Sequence, residues 1–564
     1  MIASAELLEL AADWMGVDPD PVTRAELAEL IDAPAAESLA ERFGSRLEFG
    51  TAGLRGALGA GPTRMNRVLV RMTAAGVARR VVAEGGTCVV VGHDARHNSA
   101  VFADDTARVA AAHGLDVRVV RGPHPTPVLA FAVRFVGAHA GVMITASHNP
   151  KADNGFKVYW DHGAQIVPPV DAEIAAEIDH AGLLADEDLA PVDDSRIQDF
   201  GDEVVAAYLA AATSVVDGSK ARDLDVVYTP VHGVGRDVFL RAFEAAGFPQ
   251  PVVVPEQGDP DPDFPTAAFP NPEEPGVLDL AIALADKRGA DLVIANDPDA
   301  DRLAAVVPSA DGWRALTGNE IGGLLAEHVL KSGTGTDRVV VTTVVSSRML
   351  AKIAASHDVQ FEETLTGFKW IMRPAIERTD LKFAFGYEEA LGYCVGERVR
   401  DKDGISAALA FAEMAAEAKA QGLSILDLLD DLERRHGVHH SAQRSFRFEG
   451  ADGSDVMASV MQRLRSSPPT AIGDLSVLSV GDLLDHPSGL PPTNALILNL
   501  SGSARLVVRP SGTEPKLKLY GETVQTVVAP RTDTNLAAAR KVAADRLRHA
   551  LDGAAALIDS DPLK

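Results

Sequence analysis

Short apolar runs alternate along this chain with longer stretches in which apolar residues recur every three or four positions. Short runs are typical of buried β-strands, and the spaced pattern is typical of amphipathic helices. Strand–helix–strand groups are predicted in this way within 87–150, 223–296 and 338–389. Because such groups build open sheets with helices on their faces, the pattern predicts three related mixed α/β domains.

The two ends of the chain differ from these groups. Residues 1–40 show helical spacing of leucines, which predicts a helical segment that covers the protein or forms an oligomer contact. After about residue 440 the predicted order is strand, helix, strand, strand and a helix near 534–552, with a Pro/Ser/Gly-rich interval at 466–493. This order predicts a smaller C-terminal α+β domain. The predicted domains are 1–205, 206–318, 319–440 and 441–564.

The charge balance restricts the kind of partner. The chain has 564 residues, of which 80 are Asp or Glu and 53 are Lys or Arg, so its formal net charge is −27. Nucleic acids and anionic membranes need a basic surface, so neither is expected as a partner, and a small molecule is expected instead. If that molecule is anionic, a local cluster of cations and metal must offset the repulsion from the whole protein.

Cysteine content and hydropathy indicate the compartment. Cys88 and Cys394 are too few for a disulfide framework in a chain of this length, which favours a reducing cytoplasm. Glu6 and Glu9 interrupt the apolar start that a signal peptide would need, and no later run approaches the ~20 apolar residues of a membrane span. We therefore expect a cytoplasmic protein that is a monomer or a homodimer.

Asp297, Asp299 and Asp301 alternate directly after the apolar run of a predicted strand, and Arg302 follows them. Three carboxylates at one strand end need a cation, and oxygen ligands specify a hard ion, for which Mg²⁺ is the best fit. A helical calcium loop would have Gly and Glu where this sequence has Arg302 and Pro308. A solvated acidic turn is the alternative for this motif taken alone.

Ser147 and His148 lie in the segment TASHNP (145–150), directly after another predicted strand. Strand ends are where open α/β sheets place their ligand sites. The Gly-x-Ser-x-Gly elbow of hydrolases does not surround this serine. Taken alone, the segment is more often a turn held by local hydrogen bonds than a catalytic loop.

Two further loops offer groups that recognise ligands. The segment RPSGTEPK (509–516) combines a guanidinium, two hydroxyls and backbone N–H groups, all of which suit a phosphate monoester. The segment GYEEALGY (386–393) places adjacent carboxylates where they could accept hydrogen bonds from sugar hydroxyls. A plain turn and a salt-bridged loop are the respective alternatives.

With these four motifs in this order, the chain resembles the α-D-phosphohexomutase family, the phosphoglucomutases and phosphomannomutases, along most of its length. The resemblance implies three related mixed α/β domains, a smaller fourth domain and an active site in the central cleft. It also implies an intramolecular phosphotransferase that interconverts hexose 1-phosphate and hexose 6-phosphate through a phosphoserine enzyme and a sugar bisphosphate.

The resemblance assigns a phosphoryl carrier and a metal site. The serine that matches Ser147 carries the phosphoryl group in this family. Together with the carboxylates that match Asp297, Asp299 and Asp301, it binds Mg²⁺. A phosphoserine beside Mg²⁺ has part of its charge neutralised, which eases the approach of an anionic sugar phosphate.

The remaining catalytic positions in the resemblance are cationic, with one histidine beside the nucleophile. Lys157 in GFKV (155–158) is the proton-transfer candidate. Arg55 in GTAGLRG (50–56) and Arg302 stabilise phosphoryl charge, and His148 joins them. The alternative for each cation is an ordinary surface position.

Substrate recognition falls to three loops in the resemblance. The third-domain loop that helps to choose the sugar matches 366–369, the sugar-hydroxyl loop matches 386–393 and the phosphate loop matches 509–516. Ala390 is a departure, because many relatives have serine there. The implied substrate-binding residues are Thr366, Gly367, Lys369, Glu388, Glu389, Arg509, Ser511, Gly512, Thr513 and Lys516.

The motifs GTAGLRG and GYEEALGY resemble the branch that includes phosphoglucomutases, phosphopentomutases and glucose-1,6-bisphosphate synthases. We expect glucose phosphate as the substrate and a sugar 1,6-bisphosphate as activator and intermediate, while phosphomannomutase and phosphopentomutase specificity stay open. A Mg²⁺-dependent sugar-phosphate phosphatase is the alternative class, but it has little use for a separate phosphate loop. A non-catalytic sugar-phosphate sensor would be expected to lack Ser147 or an aspartate, and all are present.

Overall fold

The computed structural model describes residues 4–32, 36–50, 53–448, 453–485, 490–511 and 516–559. The helices before Leu316 are α1 (Ser4–Val17), α2 (Pro21–Asp32), α3 (Ala36–Phe43), α4 (Arg67–Ala83), α5 (Ser99–Ala112), α6 (Thr126–Val136), α7 (Val170–Ala181), α8 (Asp202–Thr213), α9 (Arg236–Ala245) and α10 (Asp279–Arg288). The strands in this part are β1 (Leu54–Ala57), β2 (Cys88–His93), β3 (Asp116–Pro123), β4 (Ala140–Ile144), β5 (Asp153–Trp160), β6 (Ile197–Asp199), β7 (Val226–Thr229), β8 (Val252–Val253), β9 (Leu292–Ala295), β10 (Ala304–Ser309) and β11 (Gly312–Ala315).

The elements continue through the rest of the chain. The helices are α11 (Gly318–Ser332), α12 (Met349–Ser356), α13 (Phe368–Ile371), α14 (Arg373–Glu377), α15 (Gly404–Ala420), α16 (Ile425–His436), α17 (Gly453–Ser466) and α18 (Asp533–Asp559). The strands are β12 (Arg338–Thr343), β13 (Gln360–Thr364), β14 (Lys382–Glu388), β15 (Gly392–Val395), β16 (Val438–Arg447), β17 (Ala471–Ile472), β18 (Leu475–Asp482), β19 (Leu496–Leu500), β20 (Ala504–Pro510) and β21 (Lys516–Gln525). No described helix has the length and apolar character needed to cross a membrane.

The chain forms two compact units. The first unit contains Met1–Leu316, Ala375–Glu377 and Gly392–Ala420, and the second contains Thr317–Pro374, Arg378–Leu391 and Gln421–Lys564. Strand β15 and helix α15, which the sequence places in the third domain, therefore belong to the first unit. The predicted domain boundaries at 205, 318 and 440 stay a prediction.

Two mixed sheets carry the first unit. Their strand orders are β1-β5-β4-β2-β3-β6 and β11-β10-β9-β7-β8. In each sheet the inner strands pair in parallel and the strands that follow β4 or β9 return antiparallel. All residues of β4 and β9 are buried, since helices cover sheets of this kind on both faces.

The N-terminal helices cover the core of the first sheet. Leu7, Trp14, Leu27 and Phe43 are buried in one apolar cluster with residues of α4, α5 and the sheet. The ring of Trp14 meets that of Phe43 edge-on, with centroids 6.1 Å apart. Of the two alternatives for residues 1–40, the structure shows a cover on the protein's own first unit.

The second unit contains a parallel sheet and an antiparallel one. Strands β12, β13 and β14 pair in parallel, and the last sheet has the order β16-β21-β20-β19-β18-β17. Helices α17 and α18 contribute to the core of this last sheet. The predicted fold class is confirmed.

The predicted order of elements after residue 440 contains three strands, whereas the described residues form six, β16 to β21. Two of the additional strands, β17 and β18, lie in the Pro/Ser/Gly-rich interval 466–493. In β18, LSVLSVGD, apolar and polar residues alternate as in a half-exposed strand, and the flanking Pro, Ser and Gly residues obscure that pattern.

Candidate active site

The loop that carries Ser147 follows β4 and precedes β5. Ser147 is 1% exposed and has a φ of 52°, in the left-handed region that residues other than glycine rarely occupy. Its backbone N–H donates a 2.9 Å hydrogen bond to Thr145 Oγ1. A conformation of this kind persists only where the surrounding structure holds it, and it is common at functional sites.

Arg96 holds this loop from the end of β2. Its guanidinium donates hydrogen bonds of 2.5 to 3.1 Å to the carbonyl oxygens of Ser147, Asn149, Pro150 and Asp153. The sequence analysis did not select Arg96. Its position directly after a buried strand, in HDARHNS (93–99), is the signal that could have found it.

The three predicted metal ligands follow β9 and are buried beside the serine. Asp297, Asp299 and Asp301 are at most 1% exposed, and ligand oxygens from all three lie within 4.8 Å of one another. Ser147 Oγ donates a 2.6 Å hydrogen bond to Asp297 Oδ2. The structure therefore brings the predicted carrier and the predicted metal ligands together.

The chemistry of this cluster fits a hard divalent cation. Among the described residues, no hydrogen-bond donor reaches Asp299 Oδ1 or Asp301 Oδ1, although both oxygens are buried. A buried carboxylate oxygen without a partner is costly unless a ligand or ion binds it. An all-oxygen set that leaves coordination positions for phosphate oxygens suits Mg²⁺.

Neighbouring charges give the three carboxyl groups different pKa values. Burial by itself would raise each pKa, but Lys157 Nζ lies 2.7 Å from Asp299 Oδ2 and 2.9 Å from Asp301 Oδ2, and the pKa values of both carboxyls are lowered. Burial and the charges of the other two aspartates raise the pKa of Asp297 well above its ordinary value. A cation bound by all three would favour the ionised form of Asp297.

Two more groups that the sequence analysis missed contact the cluster. Thr126 Oγ1 donates a 2.7 Å hydrogen bond to Asp299 Oδ2. Lys402 Nζ lies 3.3 Å from Asp301 Oδ2. Lys402 stands in the charged run RDKDG (400–404), a signal that resembles the aspartate motif, whereas nothing local distinguishes Thr126.

The amino end of α15 packs against the metal loop. Gly404 N donates a 3.2 Å hydrogen bond to Ala300 O. A Cβ atom on Gly404 would lie 2.1 Å from Arg302 O, so only glycine permits this approach. Asp403 Oδ1 accepts hydrogen bonds from the first turn of α15 and a 2.8 Å hydrogen bond from Tyr208 Oη. The helix that supports the loop thus lies far from it in sequence.

Arg55, in β1, faces the same cluster. Its Nη1 donates a long hydrogen bond of 3.4 Å to Asn149 Oδ1, and its buried Nε has no hydrogen-bond partner among the described residues. Burial lowers its pKa, and the charges of Asp299 and Asp301 oppose that shift. A buried guanidinium with so few partners suits an anionic ligand.

Arg302 and His148 complete the predicted catalytic set. Arg302 Nε lies 3.9 Å from both Asp297 Oδ2 and Asp301 Oδ1. His148 Nδ1 lies 3.2 Å from Ser147 Oγ. Burial lowers the pKa of His148 well below its ordinary value, and nearby guanidinium groups lower it further, so the ring is neutral near pH 7.

The predicted sugar-recognition residues lie in the second unit. Glu388 Oε1 accepts a 2.7 Å hydrogen bond from Gly367 N, whose φ of 120° favours glycine. Glu389 Oε2 accepts a 2.9 Å hydrogen bond from Ser346 Oγ. Thr366 Oγ1 is buried and has no hydrogen-bond partner among the described residues. The loop is therefore fixed to β14, and one hydroxyl next to it is left for a ligand.

The phosphate-recognition hairpin lies in the same unit. Arg509 is the second-last residue of β20 and lies close to Tyr520. Burial and the charge of Glu389 raise the pKa of Tyr520, and Arg509 opposes that shift. Ser511 N donates a 2.7 Å hydrogen bond to Lys516 O across the base of the hairpin. Tyr520 thus lies between a predicted phosphate-binding residue, Arg509, and a predicted sugar-binding residue, Glu389.

Three further substrate residues were predicted in these loops, namely Lys369, Gly512 and Thr513. Lys369 Nζ lies 5.9 Å from the ring centroid of Trp370. Gly512 and Thr513 lie outside the described residues. The predicted catalytic and metal residues share the first unit, and the predicted substrate residues share the second.

Comparison with known proteins places the chain in a family. It matches "Phosphoglucomutase/phosphomannomutase, alpha/beta/alpha domain I" over 46–184, domain II over 206–311, domain III over 317–435 and the C-terminal domain over 482–539. A probable phosphomannomutase of Haemophilus influenzae is 43% identical over 462 residues, which cover 81% of this chain and 92% of that protein. The chain belongs to the α-D-phosphohexomutase family.

Other phosphohexomutases resemble it over similar lengths. The phosphoribomutase of Saccharomyces cerevisiae is 37% identical over 90% of this chain and 91% of its own. The phosphoglucomutase of Staphylococcus epidermidis is 36% identical over 86% of this chain and 92% of its own. This phosphohexomutase is therefore an isomerase that acts as an intramolecular phosphotransferase. The phosphatase alternative receives no support.

Proposed function

We propose that this phosphohexomutase interconverts glucose 1-phosphate and glucose 6-phosphate, with Ser147 as the carrier of the phosphoryl group. The observation that carries the proposal is the 2.6 Å hydrogen bond from Ser147 Oγ to Asp297 Oδ2, inside a buried cluster in which two carboxylate oxygens accept no hydrogen bond from the described residues. A transferable phosphoryl group on Ser147 would lie next to that cluster. The name of the Staphylococcus epidermidis relative supports glucose as the sugar.

The proposed reaction consists of two phosphoryl transfers. A sugar hydroxyl oxygen attacks the phosphorus on Ser147, the bond from phosphorus to Oγ breaks, and the hydroxyl proton passes to a basic group. The sugar bisphosphate then reorients, and Oγ attacks the phosphorus of its other phosphoryl group. The bond from that phosphorus to the sugar oxygen breaks, the basic group returns its proton to this oxygen, and the isomer leaves the restored phosphoserine enzyme. Net phosphate is unchanged, so only a trace of bisphosphate is needed as activator.

The residues of the first unit have distinct proposed roles in these transfers. Asp297, Asp299, Asp301 and Ser147 would hold Mg²⁺, which supplies Lewis-acid polarisation of the phosphoryl oxygens when bound. Arg55 and Arg302 would stabilise the charge on the transferring group, as preorganised cations do in a buried site.

Proton transfer is assigned to groups that already touch the cluster. Lys157 is the proposed proton-transfer residue, because its Nζ lies inside the cluster and donates hydrogen bonds to Asp299 and Asp301. His148, 3.2 Å from Ser147 Oγ, lies within reach of the same proton.

The residues of the second unit would read the substrate. Arg509, Ser511, Gly512, Thr513 and Lys516 would bind the phosphate that does not react. Glu388 and Glu389 would accept hydrogen bonds from sugar hydroxyls in both orientations, and Thr366, Gly367 and Lys369 would help to choose the sugar.

Pentose phosphate is the second candidate substrate. The Saccharomyces cerevisiae relative is a phosphoribomutase, and Ala390 removes a hydroxyl that many relatives place in the sugar loop. Mannose phosphate is the third, because the Haemophilus influenzae relative is a probable phosphomannomutase.

The test is phosphorus NMR of the protein with Mg²⁺, a trace of glucose 1,6-bisphosphate, and glucose, mannose and ribose 1-phosphates competing in one tube. We expect glucose 6-phosphate to form fastest and no inorganic phosphate to accumulate. Faster formation of ribose 5-phosphate or mannose 6-phosphate would show that ribose phosphate or mannose phosphate is the preferred substrate. Release of inorganic phosphate would refute the mutase mechanism.

A pair of serine variants tests the carrier. Ser147→Ala should abolish exchange and remove the phosphopeptide that contains residue 147 from the mass spectrum. Ser214→Ala, which changes a serine whose Oγ contacts only the α8 backbone, is the matched control and should keep full activity. Near-full activity of Ser147→Ala would rule out Ser147 as the carrier.

A further inference from the structure

Strand β1, which carries Arg55, is short and lies at the edge of its sheet. It has four residues and pairs with β5 alone, with Arg55 opposite Gly155. A strand of this length with one partner is weakly held by its own ladder. Contacts outside the sheet must therefore fix the direction of β1 if the Arg55 side chain is to keep one position.

The turn that follows β1 is held by two side chains from the N-terminal helices. Ala60 N donates a 2.9 Å hydrogen bond to Glu26 Oε2, and Ala60 O accepts a 3.0 Å hydrogen bond from Arg42 Nη1. Arg42 Nη1 and Glu26 Oε1 form an ion pair of 2.6 Å. Because Ala60 is fully buried, its two backbone groups depend on these partners.

Glycines let the turn fit closely against Arg42. Gly59 and Gly61 have φ values of 152° and 93°, and a Cβ atom on Gly61 would lie 2.9 Å from Arg42 O. Thr63 Oγ1 donates a 2.9 Å hydrogen bond to Glu41 O beside it. We name Glu26 and Arg42, with their contacts to Ala60, the turn clamp.

The helices that carry the turn clamp are themselves anchored. Leu27 of α2 and Leu39 of α3 are fully buried in the core of the first unit. The match to the family's domain I begins at residue 46, after both helices. The turn clamp therefore lies outside the segment that defines this domain in the family.

Arg55 has little else to fix it. Among the described residues, the only hydrogen bond that its side chain makes is the 3.4 Å contact with Asn149 Oδ1. The position of its guanidinium is then set by the backbone of β1. A displacement of ~1 Å at a reacting centre can cost ~10²-fold in rate.

We infer that the turn clamp positions Arg55 for phosphoryl transfer, so that the N-terminal helices contribute positioning residues to the active site. The inference rests on the role proposed above for Arg55. Glu26 and Arg42 act through the turn and β1, and neither touches the substrate.

The experiment compares Glu26→Ala with Glu26→Gln. Glu26→Ala removes the acceptor for Ala60 N, and we expect hydrogen exchange in 54–62 to rise ~10-fold and kcat to fall ~10-fold, as loss of a part-buried hydrogen bond to a charged group predicts. Glu26→Gln keeps an oxygen acceptor, so it should restore most of both values. Arg42→Ala should behave like Glu26→Ala. The matched control is Arg79→Ala, which removes an exposed ion pair with Glu177 in the same unit and should change neither.

A double-mutant cycle separates positioning from general stability. In an Arg55→Lys background, which already lowers kcat, Glu26→Ala should lower kcat no further. An equal fall in both backgrounds, or unchanged exchange in 54–62, would overturn the inference. Full activity of Arg55→Lys would refute the role proposed for Arg55 and with it the catalytic part of the inference, while the exchange measurement would still report on the turn clamp itself.

Discussion

The two units of this phosphohexomutase present their ligand groups differently. In the first, Ser147, Lys157 and Asp299 are at most 1% exposed. Lys157 is hydrogen-bonded to Asp299, and Ser147 is hydrogen-bonded to the neighbouring aspartate of the same cluster. In the second, Glu388 and Arg509 are only half-buried. Groups that carry charge in a transfer work best when fixed in a dry site, whereas groups that read two orientations of a substrate must be reachable. With the roles proposed above, chemistry falls to the first unit and recognition to the second.

The largest expected loss comes from the buried cluster. Asp299→Asn should lower kcat ~10³-fold at saturating Mg²⁺, because it removes one carboxylate and leaves Lys157 without one of its two partners. Steady-state kinetics and calorimetric titration with Mg²⁺ measure the two consequences. Asp311→Asn, an exposed acid in the β10–β11 turn, is the control. Wild-type metal affinity in Asp299→Asn would contradict the assignment.

The next largest effect should come from the loop support. Arg96→Lys cannot donate to all four carbonyl oxygens that the guanidinium reaches, so the Ser147 loop should lose its fixed shape and kcat should fall ~10²-fold with KM little changed. The measurement is the rate of Ser147 phosphorylation by glucose 1,6-bisphosphate. Arg121→Lys, at an exposed ion pair, is the control. A rise in KM alone would assign Arg96 to binding.

A recognition residue of the second unit should show the opposite kinetic pattern. Arg509→Ala should raise KM by ~10 to ~100-fold and change kcat little, because it removes a charge-assisted contact to the phosphate that does not react. Initial rates over a range of glucose 1-phosphate concentrations test this. Arg444→Ala, on β16 of the same sheet and paired with exposed Asp552, is the control. A large fall in kcat of Arg509→Ala would contradict the division of catalysis and substrate recognition between the two units.

The smallest effect on turnover is expected at a buried acid of the second unit. Burial alone would raise the pKa of Glu522, but the hydrogen bond and charge of His439, with the charges of Arg348 and Arg505, lower it to about 2. The folded pKa lies below the unfolded one of ~4.3, so this stabilisation is complete above pH ~4.5 and is lost as pH falls towards 2. Glu522→Gln should therefore cost on the order of 3 kcal/mol at pH 7.

Urea unfolding of wild type and Glu522→Gln at pH 7 and at pH 3.5 measures this difference. The difference in unfolding free energy between wild type and Glu522→Gln should be smaller at pH 3.5 than at pH 7. A difference in unfolding free energy that grows on acidification would contradict the lowered pKa of Glu522. A loss of turnover in Glu522→Gln without a loss of stability would show that a buried group of the second unit also takes part in catalysis.

Local pattern predicted the parts of the site that end strands. Asp297 and Ser147 each follow an apolar run, so chain order alone placed them at the carboxyl ends of sheet strands. Thr126 and Lys402 could not be assigned in this way, because each acts on residues distant in sequence. Arg96 follows β2 and carries the strand-end signal, which the sequence analysis did not use. Lys402 reaches Asp301 only because 392–420 returns to the first unit, and no local pattern reports that return.

The support of the metal loop by α15 also has a consequence for biosynthesis. The aspartates of this loop are made long before Gly404, whose helix backs the loop at Ala300. A chain is synthesised from its N-terminus and its domains tend to fold as they emerge. Here the first unit cannot complete its aspartate loop until residue 420 has left the ribosome, after part of the second unit has already been made.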